Sequence, residues 1–433
     1  MKKLIFLSGL LFLLAGFFQP ALASHVWTIT PDASVQQEYT DNLFQDRDNR
    51  KSEWITVIGA GLELEALGAT QGMTLGYRPS YSMYHKYDEY NTLRHYADLE
   101  LWKNLREHLR LSFVNSFEYR EQPYDPDDRD FEFDPYFLDD DDLRRGREPR
   151  TINTARARMD YRFGPRNTAY LQYLQGNEWN DNPGEEDNQR YSPSAGMTYW
   201  FNVLYGLEAA ASYTNGRYDI SDNRDIWDGR IRLMRNFSRF LDGYVQYRHS
   251  HVRYSGESSN YTVYEPSVGI AWRFAEEGRL SMGVGYYFRD EQDNDREESL
   301  VLNADIDKTW TQRRSSFTLR ASSGYDETFT GTDEQGFTVY YLGRAAYTYA
   351  LRRDLDWDLY AGYRRNIYKD RDPERRDNVY NLGTGISYSL TRQVIVGLNY
   401  DYRRIDSNIR AEEYYENRGT LTLNWRPQPK RLN

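Results

Sequence analysis

The sequence predicts an all-β protein, a transmembrane antiparallel up-and-down β-barrel of about 20 strands. Charged residues make up 28% of the chain and aromatic residues 16%, and apolar residues alternate with polar ones over most of its length. A disordered chain of that charge would be poor in aromatic residues, and a soluble β-sandwich would need its apolar faces to pack on each other. In a barrel, one face of each strand can contact lipid while the other contacts water.

The alternation is clearest in residues 73–84, where Met73 and Leu75 lie on one face and Thr74 and Gly76 on the other. A period of two residues predicts a strand with one apolar and one polar face. A barrel also satisfies every backbone hydrogen bond, which lipid cannot do for an open sheet edge.

Twenty such segments follow one another along the chain. They begin near Trp27, Trp54, Met73, Leu93, Leu109, Asn153, Thr168, Arg190, Tyr205, Ile226, Leu241, Tyr264, Leu280, Leu300, Phe317, Val339, Leu355, Tyr380, Val394 and Tyr415. The first contains Pro31, and the segment Thr168–Leu174 is short. Eighteen strands is therefore the alternative count.

The connections alternate between short and long. Gly164–Asn167 and Thr391–Gln393 are typical of the short class, and Glu121–Arg150, Asn177–Gln189 and Asp326–Gly336 are typical of the long class. Outer-membrane barrels have tight periplasmic turns and longer outer loops. Because the long class follows odd-numbered strands, we expect both termini of the barrel in the periplasm.

The first residues predict secretion. Lys2 and Lys3 precede an apolar run from Leu4 to Phe18, and Ala21-Leu22-Ala23 ends the segment. This pattern is typical of a signal peptide, and the apolar run is shorter than the ~20 residues of a membrane-spanning helix. We expect residues 1–23 to be a signal peptide and residues 24–433 to be the barrel domain, in the cell outer membrane and surrounded by its lipid. The chain has no cysteine, so a lipoprotein is excluded.

Few residues suggest chemistry. None of the six histidines lies in a recognisable motif with a serine or an acidic partner, so we expect no enzyme activity, no cofactor and no metal site. The net charge of −11 gives no reason to expect nucleic-acid binding. The acidic run Asp139–Asp142 in the loop Glu121–Arg150 suggests calcium, but it lacks the spacing of an EF-hand. A solvated loop is favoured, and a loop that folds inward and narrows the pore is a further alternative.

The polar phase of the strands, which we expect to line the lumen, holds nearly equal numbers of arginines and carboxylates. Cross-strand ion pairing that braces the wall is the favoured interpretation. Aromatic rings share this face, and rings beside guanidinium groups can also bind sugars, including acidic ones. The candidate lumen-lining residues are Arg230, Arg232, Arg344, Arg364, Tyr244, Tyr287 and Tyr360.

The segment Glu38–Phe44, with the order Tyr39-Thr40-Asp41-Asn42-Leu43, resembles a signature of the family called putative β-barrel porin 2. Members of that family are often associated with exopolysaccharide production, where a barrel provides the outer-membrane exit. The resemblance implies no catalytic residue. Asp41 and Asn42 also suit a turn at the top of a strand, because their side chains can bond their own backbone.

The leading function is therefore an outer-membrane channel for exopolysaccharide export, with a polysaccharide as substrate and a periplasmic export partner. The first alternative is a general diffusion porin for small polar solutes. The second is a structural or adhesion barrel whose acidic loops bind an external partner.

Overall fold

The structure is a computed structural model that describes residues 26–121, 147–256, 258–275, 278–292, 296–330, 333–370 and 373–432. The expected signal peptide and the acidic run Asp139–Asp142 lie outside these residues. Two single-turn helices, Asp88–Tyr90 and Arg410–Glu412, lie between strands. No helix in the described residues is long and apolar enough to cross a membrane.

The remaining elements are strands, and every pairing between neighbours is antiparallel. Their bounds are β1 (Val26–Thr40), β2 (Glu53–Leu67), β3 (Gln71–Tyr84), β4 (Thr92–Arg106), β5 (Leu109–Arg120), β6 (Arg150–Arg162), β7 (Thr168–Asn180), β8 (Asn188–Trp200), β9 (Tyr205–Tyr218), β10 (Arg224–Ser238), β11 (Leu241–Tyr254), β12 (Tyr261–Ala275), β13 (Gly278–Glu291), β14 (Glu297–Thr311), β15 (Ser315–Thr330), β16 (Asp333–Ala350), β17 (Leu355–Tyr368), β18 (Arg375–Ser389), β19 (Val394–Ser407), β20 (Tyr414–Trp425) and β21 (Lys430–Leu432).

Strand β1 pairs with β2 on one side and with β20 on the other, which closes a barrel of twenty antiparallel strands. The predicted fold class and strand count are confirmed, and the alternative of eighteen strands is wrong. The short segment at Thr168 is the start of a full strand of 13 residues. Strand β21 lies outside the count, because it only pairs with the start of β1.

Pro31 is tolerated in β1 because the pairing of β1 with the C-terminal strands is interrupted at this residue. The ladder from β1 to β20 begins at Ala33, and the ladder from β1 to β21 ends at Ile29. Pro31 lies between these two ladders, opposite Leu62 of β2. A residue without an N–H group is acceptable at such a position, because the pairing of β1 with β20 and β21 is interrupted there.

The long connections are shorter than the sequence predicts, because the strands continue past the end of the apolar alternation. The expected loop Asp326–Gly336 is wrong. Strand β15 continues to Thr330 and β16 begins at Asp333. Backbone ladders need no apolar side chains, so polar segments such as Asn177–Asn180 extend the wall at the long-loop end.

The two faces of the wall differ as the alternation predicts. On the outer face, Val284, Leu359 and Leu398 are 54%, 44% and 60% exposed. On the inner face, Glu38 and Arg418 are fully or almost fully buried and lie within 3.3 Å of each other. The apolar side chains therefore cover the outside of the barrel, and the charged side chains pair inside it.

The wall is incomplete at one place at the long-loop end. The ladder between β14 and β15 stops at Ala304 and Ser323. Above that point β14 still pairs with β13 up to Glu297, and β15 still pairs with β16 up to Thr330. The upper parts of β14 and β15 have therefore separated from each other while each keeps its other neighbour.

Candidate transport pathway inside the barrel

The inner face changes in character from the short-turn end to the long-loop end. In β17, Asp358 and Tyr360 near the short-turn end are only partly buried, whereas Asn366 and Tyr368 near the long-loop end have no exposed surface. Strand β20 shows the same change, from the partly buried Thr422 to the buried Glu416. Side chains therefore fill the barrel interior at the long-loop end and leave accessible space toward the short-turn end.

Arginines in the accessible half pair with polar groups on neighbouring strands. The guanidinium of Arg230 contacts the carboxylate of Glu208. Arg232 donates two hydrogen bonds of 2.9 and 2.7 Å to Oε1 of Gln246, and its guanidinium carbon lies 4.2 Å from the ring centre of Tyr244. Both arginines therefore lie on the inner face and are paired there with polar side chains.

Tyr244 lies flat in the wall because glycines leave space for its ring. A Cβ atom at Gly269 or Gly283 would come within 2.4 or 2.6 Å of the Tyr244 hydroxyl oxygen. Real Cβ atoms do not approach so closely, and only glycine gives a backbone this access. The ring is only 7% exposed, so the Arg232–Tyr244 stack is packed into the inner wall.

A second guanidinium–ring pair lies on β6 and β7. The guanidinium carbon of Arg158 is 4.3 Å from the ring centre of Tyr170. Arg158 also donates to Asp160 at 2.9 Å and to Gln172 at 3.1 Å. Stacked and bidentate contacts together hold the guanidinium plane in one orientation.

A third group is acidic. Arg78 lies among Asp32, Glu63 and Asp98, at 3.9, 3.3 and 3.3 Å from their carboxylate oxygens. One guanidinium therefore serves three carboxylates on neighbouring strands. These partly exposed pairs brace the wall, and each contributes little to stability on its own.

Of the four further candidates, two are partly exposed and two are buried in the filled region. Arg344 stands opposite Arg320 in the ladder between β15 and β16, and the hydroxyl of Tyr360 donates to Asp401 at 2.6 Å. Arg364 is 4% exposed and Tyr287 is 1% exposed. These last two side chains belong to the packed half and do not line an accessible space.

The packed half has two parts, and the first is formed by the connection between β1 and β2. Leu43, Asn42 and Gln45 in this connection are fully buried. Leu43 packs with Ile55 and Tyr84 of the inner wall. The connection therefore folds into the barrel mouth.

The segment that resembles the family signature fixes this inward fold. Asn42 accepts a hydrogen bond from the backbone N–H of Asp46 at 2.9 Å and donates to the carbonyl of Tyr415 at 2.8 Å. Asp41 accepts from the backbone N–H of Asn417 at 2.9 Å. As expected for a turn, Asn42 bonds backbone of its own loop, and both residues also tie the loop to β20.

Arg147, near the end of the connection between β5 and β6, enters the same region. It is fully buried, and its Nε donates to the carbonyl of Leu43 at 3.1 Å. Glu416 and Arg418 of β20 lie in the same region, 2.9 Å apart. The residues between Glu121 and Arg147 are not described, so an inward position of that loop stays a prediction.

Glu121, at the start of the same connection, is held by Arg94 and Tyr84. Arg94 Nε lies 3.0 and 2.9 Å from its two oxygens, and the Tyr84 hydroxyl donates at 2.7 Å. Burial alone would raise the pKa of Glu121, but Arg94 and these hydrogen bonds hold the pKa of that carboxyl below its ordinary value. The carboxylate is therefore ionised at neutral pH.

The second part of the packed half is an apolar cluster on the other side of the barrel. Its members are Val252, Tyr254, Tyr261, Val263, Tyr287, Val301, Tyr325, Phe337 and Val339. The members on β11–β14 are inner-face residues. Tyr325, Phe337 and Val339 have the phase of the outer face, like the exposed Tyr341. Outer-phase side chains can reach the inner wall only if the top of β15 and β16 lies inside the barrel.

Sequence reasoning missed this cluster and the inward loop. The signal for the loop was present, since Leu43 and Phe44 are apolar residues between strands. The signal for the cluster was the presence of apolar residues on the inner phase of neighbouring strands, at Val252 and Val263. In the described residues, no group of three histidine, aspartate or glutamate side chains is placed to hold a metal ion.

Residues 224–426 match the family described as putative beta-barrel porin 2. The match confirms the family that the sequence resembles, and it runs from β10 to the end of β20. It does not include the segment Glu38–Phe44. No curated protein sequence matches the chain.

Solved structures agree on the fold. A mutant of the ferric enterobactin receptor of Pseudomonas aeruginosa is 10% identical, with a TM-score of 0.50 and coverage of 92% of this chain and 80% of the receptor. The FrpB iron transporter of Neisseria meningitidis is 8% identical, with a TM-score of 0.50 and coverage of 93% and 82%. Identities of this size show the fold alone. The family match and the fold together indicate an outer-membrane β-barrel with a porin-like fold.

Proposed function

We propose that this protein is an outer-membrane channel through which an exopolysaccharide leaves the cell. The observation that carries the proposal is the guanidinium–ring stack on the accessible inner face, Arg158 on the partly exposed Tyr170. Sugars present apolar ring faces and many hydroxyl groups. Aromatic side chains can pack against the apolar ring faces, and guanidinium and carboxylate groups can form hydrogen bonds with the hydroxyl groups.

The polymer would enter at the short-turn end, which we place in the periplasm. The connections at the other end contain 31 acidic and 12 basic residues, whereas the short turns and the C-terminal tail contain 10 basic and 4 acidic residues. The net negative charge of the protein thus lies at the long-loop end. A periplasmic export partner would meet the basic end, where Arg313, Arg314 and Arg392 are exposed.

A general diffusion porin is the competing function. Such a porin needs an open path at all times, and the buried inner face at the long-loop end is unfavourable to that. An export channel that opens only during secretion fits a filled mouth better. A structural or adhesion barrel would need neither the accessible half nor its stacked side chains.

Deletion of the gene tests the function directly. We expect loss or strong reduction of a surface polysaccharide, measured as secreted and cell-bound sugar, with unchanged uptake of small solutes. Normal polysaccharide secretion together with lost small-solute permeability would replace the proposal with the porin. Normal secretion and normal permeability with lost attachment would favour the adhesion barrel.

A triple variant tests the side chains. Replacement of Arg230, Arg232 and Arg344 by glutamine should cut export per folded barrel if the arginines guide an acidic polymer. If they only brace the wall, Glu208 loses its partner, and export should fall only in proportion to barrel abundance. The matched control replaces Arg313, Arg314 and Arg392 of the exposed turns by glutamine, which is the same change in charge away from the inner face.

A further inference from the structure

The inner face of strands β4–β7 carries a group of aromatic and polar side chains near the short-turn end. We name this group the β4–β7 platform, and its members are Trp102, Arg110, Ser112, Arg158, Asp160, Tyr170 and Gln172. Four of them stand opposite one another in the ladders of successive strands, namely Trp102, Ser112, Arg158 and Gln172. The side chains of Arg158 and Asp160 are 34% and 44% exposed. The platform is therefore open to the interior space.

Trp102 forms one end of the platform, and its indole ring lies flat on the wall. A Cβ atom at Gly72, which is the ladder partner of Trp102 on β3, would come within 2.5 Å of the indole Nε1. Only glycine lets a ring lie so close to the backbone of the neighbouring strand. Trp102 is partly exposed, so one ring face is turned to the wall and the other to the interior.

The guanidinium of Arg110 lies beside this ring and not in an ion pair. Its carbon is 5.3 Å from the ring centre of Trp102, which is too far to cover the ring in close contact. Arg110 stands opposite Asp160 in the ladder, but it forms no ion pair in the described part of the chain. Arg110 is also exposed. This cation is therefore available to a ligand.

At the other end of the platform, Tyr170 supports the guanidinium of Arg158. The Tyr170 ring lies flat over Gly196, where a Cβ atom would come within 2.7 Å of the ring carbon Cζ. The guanidinium carbon of Arg158 lies 4.3 Å from the ring centre of Tyr170. Its Nε donates to both oxygens of Asp160, at 2.9 and 3.0 Å, and its Nη1 donates to Gln172 at 3.1 Å. These contacts hold the guanidinium in one orientation.

The ion pair of the platform differs from the pairs that brace the wall. Arg230 and Glu208 lie on neighbouring strands, whereas Arg158 and Asp160 lie two residues apart on β6. The pair on β6 therefore adds no link between strands. A carboxylate can accept about four hydrogen bonds, and within the described residues Asp160 accepts only from Arg158. Acceptor positions of Asp160 thus remain for the hydroxyl groups of a ligand.

The spacing and the charge of the platform indicate the kind of ligand. Trp102 on β4 and Tyr170 on β7 are three strands apart, which is about 14 Å along the wall at the usual distance between strands. A short run of sugar units can lie across this length. The platform holds two guanidinium groups and one carboxylate, so it favours a ligand with a negative charge.

We infer that the β4–β7 platform is a carbohydrate-binding site for a short run of pyranose units that carry an acidic group. Trp102 packs against the apolar face of one unit, and Asp160 with Arg158 binds the hydroxyl groups of a neighbouring unit. Arg110 pairs with the acidic group. This inference names the substrate class of the proposed export channel and therefore rests on that function, but the binding can be measured without export.

Calorimetric titration of the full-length barrel in lipid nanodiscs, which leave both ends accessible, tests the site. The probes are the hexamer of galacturonic acid and cellohexaose, its uncharged counterpart. We expect both to bind, and the acidic hexamer to bind several-fold more tightly. Trp102→Ala and Asp160→Asn should each weaken the binding of both hexamers several-fold. Arg110→Gln should weaken the acidic hexamer and leave cellohexaose unchanged.

Two control variants make the same chemical changes away from the platform. Tyr173→Ala removes a ring from the outer face of β7, where Tyr173 is 44% exposed. Arg217→Gln removes an exposed cation at the long-loop end of β9. Both should bind the hexamers as the native barrel does. Equal losses in the controls and in the platform variants would show that the sugars do not bind at the platform.

Two further variants test the position of the Trp102 ring in barrels shown to be folded by heat-modifiable mobility in gels. Trp102→Phe keeps a flat ring over Gly72 and should retain most of the affinity. Gly72→Ala pushes the indole off the wall and should weaken binding. Absence of binding by the native barrel, or native affinity in both Trp102→Ala and Asp160→Asn, would overturn the site. Normal polysaccharide secretion in the deletion strain would reject the export function and leave these affinities unaffected.

Discussion

Arg289 of β13 and Asp370, just after β17, form an ion pair of 2.6 Å at the long-loop end of the barrel. Four strands separate them along the wall, and Arg289 is 4% exposed. Arg289 lies 3.6 Å from a carboxylate oxygen of Glu297 as well. A buried charge with several partners is strongly coupled to each of them.

This coupling can be measured with a double-mutant cycle. Arg289→Gln and Asp370→Asn should each destabilise the barrel, and the double variant should lose less than the sum of the two. We expect a coupling free energy of about 1–3 kcal/mol, obtained from urea unfolding of the protein in liposomes. The exposed pair of Arg296 and Asp290 serves as the control, and its coupling should stay below ~1 kcal/mol. Equal coupling in both pairs would mean that the mouth is open to water.

The two faces of β19 allow a matched test of the wall. Leu398 is 60% exposed on the outer face, and Asn399 lies next to it on the inner face. Leu398→Arg should cost about 2–4 kcal/mol of the free energy of unfolding if the residue lies near the bilayer midplane, because lipid cannot solvate the charge. Asn399→Arg should cost clearly less. Equal losses, measured by urea unfolding in the same liposomes, would contradict the assignment of the faces.

Most of the wall could be predicted from the sequence because the side-chain alternation of each strand shows which of its faces contacts lipid. Alternation at Met73–Tyr84 or at Val394–Tyr402 needs only local information, and the strands start close to the predicted residues. Strand ends at the long-loop end could not be predicted equally well. There the backbone ladder continues through polar segments, and nothing in the side-chain pattern marks where it stops.

The filled mouth could not be predicted because it depends on contacts between distant strands. Phe337 alternates like a residue that contacts lipid, and only its distance to Tyr261 shows that it lies inside. Arg147 lies 104 residues from Leu43, whose carbonyl it contacts. Of the candidate site residues, Tyr287 and Arg364 illustrate the limit, because their phase was clear but their burial in the mouth was not.

The orientation of the barrel is tested by labelling of single cysteines, since the chain has none of its own. A cysteine at Asp48 or Asn182, in the long-loop connections, should react with an impermeant thiol reagent on intact cells. A cysteine at Asn167 or Gln393, in the short turns, should react only after the outer membrane is broken. The opposite pattern would invert the topology and place the accessible half of the interior toward the outside.

Glu121 provides a test based on pH, with the exposed Glu89 as its control. The Glu121 side chain has no exposed surface and pairs with Arg94, so removing its charge leaves a buried guanidinium without its partner.

Because the folded state holds the pKa of Glu121 below its ordinary value of 4.5, ionised Glu121 stabilises the barrel at neutral pH. That contribution is present above pH 4.5 and is lost as the pH falls through the lower pKa of the folded state. Glu121→Gln should therefore reduce the free energy of unfolding by up to ~3–5 kcal/mol at pH 7. The difference from the native barrel should shrink toward pH 3, whereas Glu89→Gln should change little at either pH. Urea unfolding in liposomes at the two pH values measures this, and a loss that is the same at pH 3 as at pH 7 would show that the charge of Glu121 is not what holds Arg94.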